Sequence, residues 1–164
     1  MAILTPNAQV NAEELAKYTH LVRNYLQDYS ENNVLLEDKE EFSSKLIQQS
    51  TLMAVDLFNS CMGNITKYTL EKFPVPTLLV LGAAGLCLTS GGVLQTRNHF
   101  SITDGGLGGP LSEKTDYYRV WGESLMTQFV NFGTKYKESA NVEGGYSSIS
   151  SSYLCAFSDI LRGK

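Results

Sequence analysis

Charge is what this chain has least of: Asp, Glu, Lys and Arg make up 18% of its 164 residues, against about 25% in an ordinary soluble domain. Fewer charges leave less of the surface bound to water, so part of that surface is expected to be covered. The charge that is present leans acidic, with 17 Asp and Glu against 13 Lys and Arg, a formal net charge of -4 and a pI near 5.2. No basic run occurs, which argues against a protein that grips nucleic acid through its phosphates, because that needs a basic patch or stripe. Three cysteines, Cys61, Cys87 and Cys155, are odd in number and far apart. They lack CxxC spacing and neighbouring histidines, so neither a disulfide framework nor a zinc site is expected, and they read as reduced, buried small hydrophobes. Residues 1 to 6 lack the basic and long apolar regions of a secretory signal, which makes synthesis in a cytoplasm the expectation. No period of 20 to 50 residues repeats, so a solenoid is not supported.

What is present is helical periodicity. A chain of this length can bury roughly 70% of its unfolded surface in one core. Leu15, Tyr18, Val22, Leu26 and Tyr29 recur at spacings of three and four, which predicts an amphipathic helix over 11–29 with Asn11 as N-cap and Glu13 and Glu14 in its first turn. Ser30 to Glu41 reads as a polar loop anchored by Val34, Leu35 and Leu36. Ser43 or Ser44 can cap a second helix reaching about Met62, with Ile47, Ala54, Leu57, Phe58 and Cys61 on its apolar side and Gly63 as the stop. A short helical turn is expected over 66–71. Phe73-Pro74-Val75-Pro76 then forces an extended kink.

The next segment, about 77–98, is apolar nearly all round and belongs at the centre of a bundle. Gly82, Gly85, Thr89 and Gly92 share one face that would let another helix approach closely, with a break near Ser90-Gly91-Gly92 as the alternative. The uncharged stretch 73–96 is also the one candidate membrane span, although Thr77, Thr89, Ser90, Gly91, Gly92 and Gln95 dilute it and its flanks look like soluble amphipathic helices. After a glycine-rich loop over 103–110, Ser112 can cap a fourth helix whose apolar stripe is Tyr118, Trp121, Leu125, Phe129, Phe132 and Tyr136. From Asn141 the composition turns to Gly and Ser, which predicts an extended docking tail over 141–164 beside a bundle domain over 1–140. The fold class expected is all-α: a small bundle of about four main helices with an extended C-terminal tail.

Chemistry finds little purchase. The Asp104-Gly105-Gly106-Leu107-Gly108-Gly109 loop has neither the Lys-Ser/Thr ending of a P-loop nor the GxGxxG pattern, and Asp104 alone cannot hold calcium. His20 and His99 sit in or at the end of helices, no serine or cysteine has a base arranged beside it, and Glu37-Asp38 and Glu40-Glu41 read as solvated loop charges. No catalytic, cofactor or metal site is expected, and no enzyme. The tail offers more. Tyr146, Ile149 and Tyr153 punctuate a serine run that could lie as an added strand on a partner, which makes Tyr146, Ser148, Ile149, Ser150, Tyr153, Leu154 and Phe157 the candidate partner-binding residues.

Taken in order, Val22-Arg23 with Leu26 and Asp28, Asn33 with Leu35-Leu36, Glu41-Phe42-Ser43, Ile47, and Ala54-Val55-Asp56 with Phe58-Asn59 resemble the head-to-tail connector proteins of tailed bacteriophages. Past the kink, Leu78-Leu79 with Gly82-Ala83-Ala84, Arg97-Asn98, Asp104-Gly105-Gly106, Lys114 with Tyr117 and Trp121, Lys135 or Lys137, Asn141, and Gly145 before Ser148-Ile149-Ser150-Ser151 continue that pattern. The resemblance implies a helical virion protein of the neck, made in the host cytoplasm. It implies a homo-oligomeric ring of twelve that docks on the portal protein, meets a downstream neck or tail protein, and lets DNA pass without specific contacts. Its tail would touch the portal or a neighbouring subunit. A head-tail stopper or tail-completion ring is the alternative within the same setting, and a small membrane-associated helical protein, through 73–96, is the alternative of another class. The glycines of Ser90-Gly91-Gly92 and of Leu107-Gly108-Gly109-Pro110 depart from the pattern.

Overall fold

The computed structural model describes residues 11–33, 39–61, 67–97 and 111–161, with side chains of the last helix described over 115–143. Four α-helices make up the described part: α1 (Ala12–Leu26), α2 (Ser44–Ser60), α3 (Pro76–Arg97) and α4 (Leu111–Leu161). Among the described residues there is no strand. The all-α bundle expected from the periodicity is the fold.

Local signals set most boundaries. The Asn11 side chain accepts a hydrogen bond from the Glu13 N–H at 3.0 Å, and the Ser43 hydroxyl accepts one from Leu46 N–H at 3.2 Å, so each fills an otherwise orphan donor at its helix start. Pro76 is the first residue of α3, where its missing N–H costs nothing. α1 stops at Leu26, three residues before Tyr29, because Gln27 turns into the left-handed region (φ 55°) and the Asp28 N–H reaches back to the Arg23 carbonyl at 3.1 Å. A 3-10 turn, Ser30–Asn32, follows. Residues 67–71 form no helix; instead the Asn59 side chain pairs with the Tyr68 backbone in both directions, at 2.8 and 2.9 Å, and supplies the partners a helical turn would have supplied. The proposed anchor Val34-Leu35-Leu36, Gly63, His99 and the glycine-rich loop lie outside the described residues.

α3 is the central element and packs against α1, α2 and α4, most extensively against α4. By length and composition it could cross a membrane. Here about half of that stretch is buried in protein, with Leu79, Ala83, Ala84 and Cys87 fully buried, while Val93 and Leu94 towards its end are more than half exposed. It runs unbroken through Ser90-Gly91-Gly92, since the glycines are sites of contact. A Cβ on Gly82 would lie 2.7 Å from the Phe129 ring, and one on Gly85 3.1 Å from Met126. Thr89 stands against Gly122 of α4 in the same way. These approaches offset the roughly 1 kcal/mol that each helical glycine costs. Phe58, fully buried on α2, gathers the rings of Phe73, Phe129, Tyr68 and Tyr136 at centroid distances of 4.8 to 6.3 Å. Burying such a side chain stabilises the fold by about 1.5–3 kcal/mol.

Two expectations for α4 are corrected. The helix begins at Leu111, so Ser112 lies within it, not at its cap. Its backbone also stays helical to Leu161, where an extended tail was expected. Serine and glycine start helices poorly, but a helix already running past residue 140 gains a hydrogen bond per added residue without a new nucleus. Tyr146, Ser148, Ile149, Ser150, Tyr153, Leu154 and Phe157 therefore sit on helical backbone, with spacings of three and four among the apolar ones; their side chains lie outside the described residues.

Candidate functional site

Of the residues quoted for the resemblance, Arg23, Asp28, Asn33 and Phe42 form a buried clasp, Tyr117 and Trp121 are exposed, and Ile47, Ala54, Val55, Phe58, Leu78, Leu79, Ala83 and Ala84 belong to the core. Arg23 stands at a core-facing position of α1 next to Val22, and its guanidinium is buried. Nη1 donates to the Asp28 carboxylate at 3.0 Å and to the Asp28 carbonyl at 3.2 Å, while Nη2 donates to the Phe42 carbonyl at 3.1 Å and Ser44 Oγ at 3.2 Å. Glu40, half exposed, adds a second carboxylate at 3.0 Å. Asp28 in turn accepts from Asn33 Nδ2 and the Glu41 N–H, both at 2.7 Å, and from the Phe42 N–H at 2.9 Å. Arg23, Asp28, Asn33 and Phe42 are thus one unit that ties the α1–α2 connection to both helices. With every donor and acceptor matched, it is a structural lock and not an acid-base pair awaiting a substrate.

The clasp extends to α4. The Phe42 ring packs on Gly91 and Tyr118, and the Tyr118 hydroxyl bonds Glu41. Burial, reinforced by that carboxylate, pushes the Tyr118 phenol far above its ordinary value. Glu40 and Glu41 are therefore engaged, which corrects their reading as solvated loop charges. Nearby, burial pushes the Cys87 thiol up, opposed by a hydrogen bond with Ser50. Such a thiol is a packed hydrophobe and not a nucleophile. Cys61 is only partly buried, and the Cys155 side chain lies outside the described residues.

A second lock joins α2 to α4 across 79 positions. The buried Lys137 ammonium donates to the carbonyls of Phe58 and, at 3.2 Å, Cys61, where the dipole of α2 is negative, and lies 4.8 Å from the Phe58 ring centre. Burial lowers its pKa.

The exposed surface is on α4. The aromatic stripe read from the sequence splits: Leu125 and Phe129 are buried, and Tyr118 and Tyr136 are partly so, but Trp121 is 61% exposed and Phe132 55%. With Tyr117 (62%) and Val120 (54%) they form an outward ridge, filled in by Ser124 and Gln128. From 117 to 134 the helix carries only two charges, Arg119 and Glu123. Both line a cleft of about 350 Å³ on the other edge, between α3 and α4, with Thr89, Gly92, Val93 and Arg97. No family model matches the chain, and neither a curated protein nor a solved structure matches it. Asp56 is exposed on α2, and His20 is exposed with its ring edge-on to Tyr29 at 6.5 Å. Asn98, Asp104, Gly105 and Gly106 lie outside the described residues. Among the described residues no three His, Cys, Asp or Glu side chains come together as metal ligands would.

Proposed function

We propose that this chain works by assembly: a ring-forming head-to-tail connector subunit of a tailed-phage particle, docked on the portal protein and continuing the DNA channel towards the tail. The observation that carries the reading is the ridge of Tyr117, Val120, Trp121 and Phe132, an aromatic, nearly uncharged surface held on a rigid helix. Buried interface cores are enriched in Tyr, Trp and Phe and depleted in charge, whereas an isolated soluble chain rarely leaves such side chains together in water. The low overall charge is in keeping with subunit faces that are covered in the working state. The phage setting rests on the resemblance. It draws support from the convergence of Arg23, Asp28, Asn33 and Phe42, spread over twenty positions, into one clasp. The acidic balance suits a channel that lets DNA slide without holding it. In this reading the ring is twelve-fold, the C-terminal part of α4 meets the portal or the next subunit, and a downstream neck or tail protein binds the other side.

The test is the mass of the purified chain, alone and mixed with portal protein, by light scattering after size exclusion. A defined high-order complex is expected. A complex that forms without portal but never binds it favours the stopper or tail-completion alternative. A chain that stays at its 18.1 kDa monomer mass in both cases removes the proposal.

A further inference from the structure

A second apolar feature lies between α1 and α3, away from the α3–α4 contact. Leu21, Asn24 and Tyr25 of α1, with Pro76, Thr77 and Val80 of α3, enclose an open groove of about 320 Å³, with no charged side chain in its lining. Pro76, Thr77 and Val80 stand on the side of α3 turned away from the glycine face that α4 covers. The ridge stands on a flank of α4, bordering the face whose Tyr118, Gly122, Leu125, Met126 and Phe129 touch α3. The ridge and the groove are therefore separate surfaces, one on a flank of α4 and the other between α1 and α3.

We infer that the ridge of one subunit docks in the α1–α3 groove of a second copy of this chain, with Trp121 as the residue inserted. This rests on the ring reading above and names the contact that would build the ring. Three features select a second copy as the occupant. The four ridge residues and the groove lining carry no charge, so their contact leaves no ion unpaired. The groove has room for one large aromatic side chain, and its half-exposed Tyr25 and Leu21 supply walls of matching character. The four ridge residues present on the order of 400–500 Å² of apolar surface, about half the roughly 800 Å² that each partner of a stable interface buries. The mouth of the α3–α4 cleft fits the ridge less well, since Arg97, Arg119 and Glu123 stand around it. A ridge on one subunit and a different surface, the groove, on the next make a heterologous contact. Such a contact builds a ring when the rotation between subunits closes and an open filament when it does not, whereas like surfaces meeting like stop at a dimer.

A mixing experiment tests this. Trp121→Glu spoils the ridge and leaves the groove; Leu21→Glu spoils the groove and leaves the ridge. Both positions are exposed, and far-UV circular dichroism with thermal melting checks that each variant keeps the fold; Trp121→Ala and Tyr25→Ala form a milder pair for the same measurement. The expected result is a high-order assembly for the wild type, a monomer for each glutamate variant alone, and a species of twice the 18.1 kDa chain mass for their equimolar mixture, joined through the one intact contact. The alanine pair should each weaken self-association at least tenfold. A wild type that assembles while the variants assemble equally well overturns the ridge-and-groove pairing and leaves the ring reading standing. A Leu21→Glu chain that dimerises by itself overturns the pairing in favour of α4 against α4. A wild type that stays monomeric at every concentration, alone and with portal protein, removes the pairing and the ring together.

Discussion

Asp28→Ala probes how much of the fold depends on the clasp. The substitution deletes the acceptor of four hydrogen bonds, from Arg23, Asn33, Glu41 and Phe42, at 2.7 to 3.0 Å. Breaking a buried ion pair by removing one partner costs about 3–5 kcal/mol, because the remaining charge stays buried. Arg23 would retain two backbone carbonyls, Ser44 Oγ and the half-exposed Glu40, which lowers that cost, while the buried Phe42 N–H loses its partner and adds about 1–3 kcal/mol. A loss of about 4 kcal/mol is expected, and for a chain of this size about 2–4 °C of Tm per kcal/mol, so the melt should fall by roughly 10 °C. Urea denaturation followed by far-UV circular dichroism, with Arg23→Met and the double variant completing a cycle, measures it. The double variant should be less destabilised than the sum of the single ones by at least about 1 kcal/mol, since it leaves no orphan charge. A loss below about 1 kcal/mol for Asp28→Ala, the range of an exposed pair, would refute the clasp as a buried lock.

Two glycines on the same face of α3 should respond with opposite sign. Gly82→Ala places a methyl 2.7 Å from the enclosed Phe129 ring and should destabilise by about 1 kcal/mol once the helix-propensity gain is subtracted, whereas Gly92→Ala, whose nearest neighbour is 3.5 Å away, should stabilise by up to about 1 kcal/mol; chemical denaturation of both decides. For Lys137, a folded pKa below the unfolded one means that the unfolded chain binds the extra proton between the two values, so stability rises with pH across that window up to about 10.5. The difference between wild type and Lys137→Met, followed from pH 7 to 10.5, should show that rise; a flat difference removes it. Trp121 is the sole tryptophan, so intrinsic emission should shift to shorter wavelength as the wild type is concentrated into its assembly, and it should stay put in Leu21→Glu. Removal of residues 142–164 should leave the melt within about 0.5 kcal/mol, because the body's locks end at Lys137, and should abolish capture by portal protein.

The starts of α1, α2 and α3 were legible because caps are local: Asn11, Ser43 and the kink ending at Pro76 each act within a few residues. The close face of α3 was legible for the same reason, since small residues at helical spacing read the same in any surroundings. What escaped was set by distant partners. Nothing adjacent to Arg23 names Asp28, Phe42 and Ser44 as its acceptors; the available signal was a cation at a core-facing position of α1, which a buried helix face admits only when paired. The end of α1 carried no glycine, because Gln27 takes the left-handed turn itself. The aromatic stripe of α4 was read as one apolar face, yet at 100° per residue Trp121 and Phe132 drift to its edge, and only the width of α3 decides which aromatics it covers. That drift is the difference between a core residue and the ridge. Ser and Gly beyond Asn141 stay helical because the helix already runs into them, a dependence that local composition does not carry.

The order of packing has a consequence for synthesis. α3 is the hydrophobic centre, but the helix that covers its glycine face comes after it, and the lock at Lys137 that closes α2 is forty residues beyond the end of α3. At about 5–20 residues per second, a ribosome leaves α3 without that cover for roughly 2–8 seconds. During that interval a nascent chain displays a 22-residue apolar helix that looks, to anything that scans for membrane segments, like one. Its first requirement in the cell is therefore to be sheltered until its own last helix arrives.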